Sequence, residues 1–152
     1  MEIKILLYTK DRVPDVIEFE NKLRLEEDKW GWDIDESYIT NVINSFEDDS
    51  FNDSISLLAY DDNKVVGRID SSMINSHFDG STKAYLDWIC VLKSYRRNGI
   101  AQKLLEELKK ELKEREVDTL IALTDTDEAT QHLYKSLPDS VMKDIGIWID
   151  IK

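Results

Sequence analysis

Apolar residues in the first 50 positions form one short run and two helical stripes. EIKILLY (2–8) is the kind of short apolar run that forms a buried strand. Pro14 suits the first turn of a helix, and the apolar residues after it recur on one face as far as about Glu27. Beyond the loop DKWGWD, a second stripe predicts a helix over about 36–46.

The rest of the chain predicts a hairpin, a crossover unit, a short helix and a last strand. The most regular stripe follows Gly99, where Ile100, Leu104, Leu108 and Leu112 recur at every fourth position. The predicted strands cover 55–60, 65–73, 84–91, 117–123 and 145–151, and the short helix covers 127–136. Apolar residues dominate 84–91 and 117–123, so we expect a central strand and a buried strand there.

The element order β-α-α-β-β-β-α-β-α-β predicts an α/β fold with a single domain over residues 1–152. We expect a mixed, mostly antiparallel sheet with helices on both faces. The connection from strand 84–91 through the long helix to strand 117–123 should be parallel and right-handed, as such crossovers nearly always are. This β-α-β unit would form the centre of the sheet.

Composition narrows the class of protein. The net charge of −12 argues against general binding to nucleic acid or anionic membranes, because such binding requires clustered Lys and Arg. No apolar run approaches the ~18 residues of a membrane span, and the first residues lack the pattern of a signal peptide. A single cysteine, Cys90, fits a reducing compartment. We therefore expect a cytoplasmic protein.

The charge is unevenly distributed along the chain. Residues 1–53 contain fifteen Asp and Glu against six Lys and Arg, whereas residues 93–115 contain eight Lys and Arg against four Glu. Such a protein could hold an anionic cofactor at its basic segment and attract a cationic substrate elsewhere. The alternative is that the acidity only aids solubility.

Residues 91–102, VLKSYRRNGIAQ, join a predicted strand to the most regular helix. The first backbone N–H groups of a helix have no intrahelical acceptor and carry partial positive charge, so they can hold a diphosphate. Gly99 and Ala101 leave the approach to these groups open, and Arg96 and Arg97 add positive charge. The alternative is an ordinary glycine-containing turn with surface arginines.

Two motifs flank the predicted strand 117–123. ICVLKSYRRNGIAQKLLEEL contains R-x-x-G-x-A at Arg96, Gly99 and Ala101, and DEATQHLYKSL places Tyr134 on a short helix. Together they resemble the motifs of the GNAT-type (GCN5-related) N-acetyltransferases, and most of all those of the small aminoglycoside-type enzymes. The resemblance implies a GNAT-like fold around a β-α-β unit that binds acetyl-CoA.

The second motif departs from the family pattern at both ends. It opens with Asp127 where the family usually has Asn, and Pro138 and Asp139 follow it where Gly-Phe is usual. A non-catalytic, CoA-binding or regulatory module therefore stays open as an alternative to an enzyme.

The resemblance implies acetyl-CoA as co-substrate and assigns roles to matching positions. The backbone of 89–91 would pair with the pantetheine arm, the amides of 97–102 would hold the pyrophosphate, and Tyr134 would protonate the departing thiolate. The implied cofactor-binding residues are Ile89, Cys90, Val91, Arg96, Arg97, Asn98, Gly99, Ile100, Ala101, Gln102 and Tyr134.

A carboxylate is needed to take the proton of the acceptor amine, because a lysine-like amine is almost fully protonated at pH 7. Asp87 interrupts an apolar strand and lies two residues from Ile89 on the same face, within reach of the reacting centre. An ion-paired or edge-exposed Asp87 is the other interpretation. Asp125 and Asp127 are alternative bases, although Asp127 also suits a helix N-cap.

Several other side chains have both a functional and a structural interpretation. Tyr134 could be a core aromatic rather than a catalytic acid. Trp30 and Trp32 could either line an acceptor pocket or cap the helix-helix hairpin. His77 and His132 lack companions at metal-ligand spacing, so no metal is expected.

The function expected from the sequence is transfer of acetyl from acetyl-CoA to a primary amine of a cationic small molecule, such as an aminoglycoside-like antibiotic or a polyamine. A protein or peptide N-terminus would satisfy the same electrostatics. Neither nucleic acid nor a membrane is expected as a partner. An unpaired sheet edge near the last strand would allow a homodimer.

Overall fold

The computed structural model describes residues 1–123, 127–143 and 146–151, and a five-stranded sheet forms its centre. The strands are β1 (Ile3–Leu7), β2 (Ile55–Asp61), β3 (Lys64–Ile74), β4 (Lys83–Val91) and β5 (Thr119–Ala122). They lie in sequence order, with antiparallel pairing from β1 to β4 and parallel pairing between β4 and β5. The predicted mixed sheet and the parallel crossover are confirmed.

Four helices accompany the sheet, and their ends match the signals in the sequence. They are α1 (Val13–Glu26), α2 (Glu36–Ser45), α3 (Ile100–Glu114) and α4 (Glu128–Lys135). Pro14 lies in the first turn of α1, where its missing N–H costs no hydrogen bond. The side chain of Asp35 accepts from the Tyr38 amide at 2.8 Å and so caps α2. Short 3₁₀ turns cover Lys10–Arg12, Asp49–Phe51 and Lys93–Tyr95.

Helices cover both faces of the sheet, as expected. On one face, Arg68 of β3 forms an ion pair with Glu20 of α1 at 3.1 Å. On the other face, Gly67 lies beside Val91 of β4 and Ile100 of α3, where a side-chain carbon would come within 3.3 Å of both. Because neighbouring residues in a strand point to opposite faces, α1 and α3 lie on opposite sides of β3. None of the helices in the described part of the chain has the length and apolar character of a membrane span.

The predicted strand over 117–123 forms as β5, but it is shorter and less buried than expected. β5 covers only Thr119–Ala122, and Ile121 is 38% exposed. β5 is the last strand of the described sheet, so one of its edges has no neighbouring strand there. The crossover unit therefore lies at one end of the described sheet rather than at its centre.

The predicted final strand over 145–151 was also wrong for residues 146–151, which form no strand, while Ile145 lies outside the described residues. Trp148 is 73% exposed and Ile151 is 91% exposed. Alternation specifies which face of a strand is apolar, but a strand also needs a partner that supplies hydrogen bonds. At one edge of the described sheet, β5 is only four residues long.

Candidate active site

Among the described residues, the carboxyl half of β4 has a neighbouring strand on one side only. Pairing between β4 and β5 ends at Leu86 and Ala122, whereas pairing with β3 continues to Val91. The Leu92 amide donates to Val66 of β3 at 3.0 Å. Because backbone groups alternate along a strand, the polar groups of Ile89 and Val91 point away from β3, toward the side that β5 no longer occupies.

We call this side of 89–91 the open edge. The polar backbone groups of Cys90 face β3 instead, by the same alternation. The Cys90 thiol is buried, and burial raises its pKa to about 12. The expected contribution of Cys90 is therefore structural rather than a direct polar contact.

Residues 92–99, which we call the β4–α3 turn, end in an unusual backbone conformation. Arg97 and Gly99 both have positive φ, at 63° and 73°. Only the Gln102 side chain lies within 4 Å of a carbon built on Gly99, so glycine is needed there for backbone conformation rather than for space. The side chain of Asn98 donates to the Tyr95 carbonyl at 3.0 Å and holds the turn closed.

Six consecutive backbone amides, from residue 97 to residue 102, have no hydrogen-bond acceptor among the described residues. The next amide, that of Lys103, donates to the Gly99 carbonyl at 3.0 Å. No side chain in the described ranges caps the start of α3. Uncapped amides at a helix N-terminus are a ready site for an anion such as phosphate.

Gly67 is a site residue that the sequence analysis did not identify. A side-chain carbon there would lie 3.2 Å from the Cys90 carbonyl oxygen and 3.3 Å from Ile100. Glycine lets β3, β4 and the start of α3 approach closely. An isolated glycine inside a strand pattern is a signal of such an approach.

Arg96 forms an ion pair within the protein. Its two terminal nitrogens donate to the two carboxylate oxygens of Glu27, and its Nε donates to the Val91 carbonyl at 3.2 Å. The hydrogen bond from Arg96 also holds the pKa of Glu27 below its usual value. Much of the positive charge that the sequence analysis placed beside the turn is thus neutralised.

Tyr134 lies on α4, is 8% exposed and packs against the hydrophobic core. Burial, with a smaller effect from Tyr85, raises the pKa of Tyr134 to about 12. Its hydroxyl has no hydrogen-bond partner in the part of the chain that the structure describes. The side chain is both a core aromatic and a phenol with an unused donor.

Asp87 occupies a bulge in β4. Asp70 of β3 pairs with Trp88 and Ser71 pairs with Leu86, so Asp87 has no opposite residue. The bulge breaks the regular alternation that would have placed Asp87 on the face of Ile89. Partial burial of its carboxyl group and the nearby charge of Asp70 raise the pKa of Asp87, while Arg68 opposes the shift.

The two other candidate bases have different outcomes. Asp127 accepts from the amide and the hydroxyl of Thr130, both at 3.0 Å, and so caps α4 as its alternative interpretation predicted. These bonds lower the pKa of Asp127. Asp125 lies outside the described residues.

Trp30 and Trp32 pack against β4 through Trp88. The ring centroids of the three indoles lie 5.5 to 6.0 Å apart in edge-to-face contacts. Trp32 is 39% exposed. The cluster adjoins Asp87 and is more than a cap on the hairpin between α1 and α2. No group of side chains suited to a metal ion occurs among the described residues.

Comparison with known protein families shows that one family pattern covers the open edge, the β4–α3 turn and α4. The sequence model of the acetyltransferase (GNAT) family matches residues 18–137. The chain belongs to this family. The match includes the open edge, the six free amides and Tyr134. The expectation of a GNAT N-acetyltransferase is thereby confirmed at the level of the family.

Solved GNAT structures share this fold at low sequence identity. An aminoglycoside acetyltransferase, meta-AAC0020, from an uncultured soil metagenomic sample in complex with sisomicin has 17% identity and a TM-score of 0.80, covering 99% of this chain and 97% of its own. AAC(6')-Iy in complex with the bisubstrate analog CoA-S-monomethyl-acetylneamine has 17% identity and a TM-score of 0.77, covering 99% of both chains.

A third structure shows that the same GNAT fold is found with another acceptor. The ribosomal-protein-alanine N-acetyltransferase from Brucella melitensis biovar Abortus 2308 has 19% identity and a TM-score of 0.75, covering 99% of both chains. No curated protein sequence matches the chain. These comparisons confirm the GNAT fold of the chain.

Proposed function

We propose that this GNAT enzyme transfers acetyl from acetyl-CoA to a primary amine of a cationic small molecule, either an aminoglycoside-like antibiotic or a polyamine. The run of six free amides beside the open edge carries the proposal. Every helix start leaves about four amides without an intrahelical acceptor, and water can satisfy those that are exposed. A run of six among the described residues, with no side-chain cap, is longer than a helix start requires. Here they remain available to a ligand.

The cofactor would lie across the two features in extended form. Backbone groups of Ile89 and Val91 would pair with the pantetheine amides, in the way that another strand would pair with the open edge. The amides of 97–102 would donate to the pyrophosphate, with the positive end of α3 directed at it. The neighbouring side chain of Arg97 would add charge.

The reaction would proceed by direct attack of the amine nitrogen on the thioester carbonyl carbon. Asp87, directly or through one water molecule, would remove a proton from the amine, and its raised pKa brings it nearer to a useful base. The carbonyl oxygen would become an oxyanion that a backbone N–H at the open edge, near Val91, could stabilise. Collapse of the intermediate would break the carbon–sulfur bond and release the thiolate of CoA.

Tyr134 would act on the departing sulfur. With a pKa of about 12, its phenol stays protonated at neutral pH and can donate. It is nevertheless a weaker acid than an ordinary thiol, whose pKa is about 8.5. We therefore expect Tyr134 to donate a hydrogen bond to the developing thiolate rather than to transfer its proton completely. The proton that leaves the amine then balances the charge of the released thiolate.

The acceptor would approach from the side of the aromatic cluster. Trp32 is partly exposed there, and the segment 28–36 contains four acidic residues against one lysine. Negative potential attracts a cationic amine. The Arg24 guanidinium already lies over the Trp32 ring, 4.9 Å from its centroid, so an acceptor ring would contact the remaining exposed part of the indole. This arrangement favours an acceptor that carries several positive charges.

A second acceptor class is a protein N-terminus. The similarity to a ribosomal-protein-alanine N-acetyltransferase supports it, because that enzyme shares the fold over nearly the whole chain. A basic peptide would be attracted by the same acidic surface. The homodimer, the cytoplasmic location and a single domain over 1–152 stay predictions.

Two measurements test the proposal. Acetyl-CoA at 100 times its dissociation constant should add about 2.7 kcal/mol to the stability of the protein and raise its melting temperature. Release of free thiol from acetyl-CoA should then be followed with aminoglycosides, polyamines and basic N-terminal peptides. Thiol release with the small amines supports the proposed acceptor, and release with peptides alone favours the second class. Cofactor binding without any acetyl transfer would favour a non-catalytic module.

A further inference from the structure

Two adjacent glutamates at the end of α1 hold the β4–α3 turn. Glu26 accepts from the amide of Ser94 at 3.1 Å and from its hydroxyl at 2.6 Å. Glu27 accepts from both terminal nitrogens of Arg96. The partners are 68 and 69 residues apart in sequence, so these bonds tie distant parts of the chain together. We call this set of four residues the clasp.

Glu26 and Glu27 lie at the C-terminal end of α1, where negative side chains are electrostatically unfavourable. Helix C-termini carry partial negative charge, which destabilises nearby carboxylates. Burial also works to raise the pKa of Glu26, yet the hydrogen bonds from Ser94 outweigh it and leave that pKa lowered. The hydrogen bond from Arg96 lowers the pKa of Glu27. Both carboxylates are thus stabilised by their partners in the turn.

The clasp lies directly beside the proposed cofactor site. Arg96, besides its pair with Glu27, donates through Nε to the Val91 carbonyl at the open edge. The residue after Arg96 provides the first of the free amides. Three of the five N–H donors of the Arg96 guanidinium are used, two by the Glu27 carboxylate and one by the Val91 carbonyl, and these bonds fix its orientation. Much of its charge is neutralised by Glu27 and is therefore not directed at a phosphate.

We infer that Arg96 is a positioning residue rather than a phosphate ligand, and that the clasp holds the open edge and the free amides in the geometry that receives acetyl-CoA. This inference rests on the proposed function. The positively charged side chain acts through Glu27 and Val91, and the backbone that follows it binds the diphosphate. Loss of either partner of the Arg96–Glu27 pair should then weaken cofactor binding.

Calorimetric titration of four variants with CoA distinguishes a positioning role of Arg96 from a phosphate-binding role. The deciding result is whether Glu27→Gln weakens CoA binding or not. If the clasp positions the turn, Glu27→Gln and Arg96→Gln should each weaken CoA binding by roughly three- to tenfold. The double variant should bind no more weakly than the weaker single variant, because the two residues act as one unit. Glu18→Gln removes an exposed charge from the same helix and is the matched control, with unchanged affinity expected.

If Arg96 binds phosphate, Glu27→Gln would instead free its guanidinium and leave CoA binding unchanged or stronger, which would overturn the inference. Acetyl-pantetheine, which lacks the diphosphate, gives a second criterion. A positioning role requires Arg96→Gln to weaken both ligands, whereas weakening of CoA alone would identify a phosphate contact. Should Arg96→Gln fail to fold, the sign of the Glu27→Gln effect still decides.

The wild-type titration separates this inference from the proposed function. Failure of the wild-type protein to bind CoA would overturn both. If the wild type binds CoA and Glu27→Gln binds it equally well, only the inferred role of the clasp is overturned. Melting curves recorded on every variant show whether a loss of affinity accompanies a folded protein.

Discussion

Asp70 lies opposite Trp88 in the ladder between β3 and β4, and the residue before Trp88 has no opposite residue at all. That unpaired residue is Asp87, the candidate base. The bulge brings its carboxylate under the influence of Asp70 and Arg68, which themselves form an ion pair at 2.7 Å. The pairing of the sheet thus determines the electrostatic environment of the proposed proton acceptor.

Asp70→Asn should lower the pKa of Asp87. The negative charge of Asp70 disfavours a second negative charge nearby, so its removal favours the ionised form of Asp87. The change also removes one of the two carboxylates paired with Arg68, whose positive charge acts in the same direction. Carbon-13 NMR titration of the Asp87 carboxyl carbon measures this pKa. Asp139→Asn, at an exposed surface pair with Lys109, is the control and should leave the titration unchanged.

Tyr134→Phe should reduce kcat by roughly ten- to a hundredfold, with little change in acetyl-CoA affinity. The substitution removes only the hydroxyl, and a hydrogen-bonding role supplies less than the ~10²–10⁴ of full general acid catalysis. Steady-state kinetics and calorimetry measure the two quantities. Tyr60→Phe, which removes a hydroxyl bonded to Asp15 at 2.7 Å, is a control expected to lower stability but not kcat. Unchanged turnover in Tyr134→Phe would remove Tyr134 from the mechanism.

Gly99→Glu should abolish acetyl-CoA binding, whereas Gly99→Ala should retain most of it. Both variants carry the strain of a positive φ, about 1–2 kcal/mol for a residue with a side chain. Only glutamate places bulk and negative charge beside the free amides. Calorimetry of the pair therefore separates backbone strain from occlusion of the site. Equal affinities for the two variants would contradict a phosphate site at this turn.

Cys90 should be almost unreactive in the native protein. Its thiol is buried, and with a pKa of about 12 only roughly one molecule in 10⁴ carries the reactive thiolate at pH 8. A colorimetric thiol reagent should therefore modify the folded protein slowly and the urea-unfolded protein at once. Fast modification of the folded protein would show that the core beneath the open edge opens readily.

The sequence predicted best what depends on neighbouring residues in the chain. The apolar stripe after Gly99 is local, and α3 forms where the stripe predicted it. The capping role of Asp127 could be predicted because an N-cap side chain bonds to an amide only three residues away. The uncapped amides of residues 97–102 could be inferred in advance because they are a property of one turn and one helix start.

Most side-chain contacts between distant residues could not be predicted in this way. The Glu27–Arg96 pair joins residues 69 apart, and nothing near Arg96 in the sequence indicates that its charge is neutralised. The bulge at Asp87 results from pairing with β3, so regular alternation misplaced that side chain. The exposure of Ile121 depends on which strand, if any, adjoins β5.

The uncovered apolar side chains of residues 146–151, on a molecule of net charge −12, have a practical consequence for solubility. Repulsion between such molecules acts over a distance of about 10 Å in 0.1 M salt and only about 3 Å in 1 M salt. Sulfate also strengthens apolar association, because it is excluded from protein surfaces. We therefore expect light scattering to rise steeply between 0.1 and 1 M ammonium sulfate and to reverse on dilution.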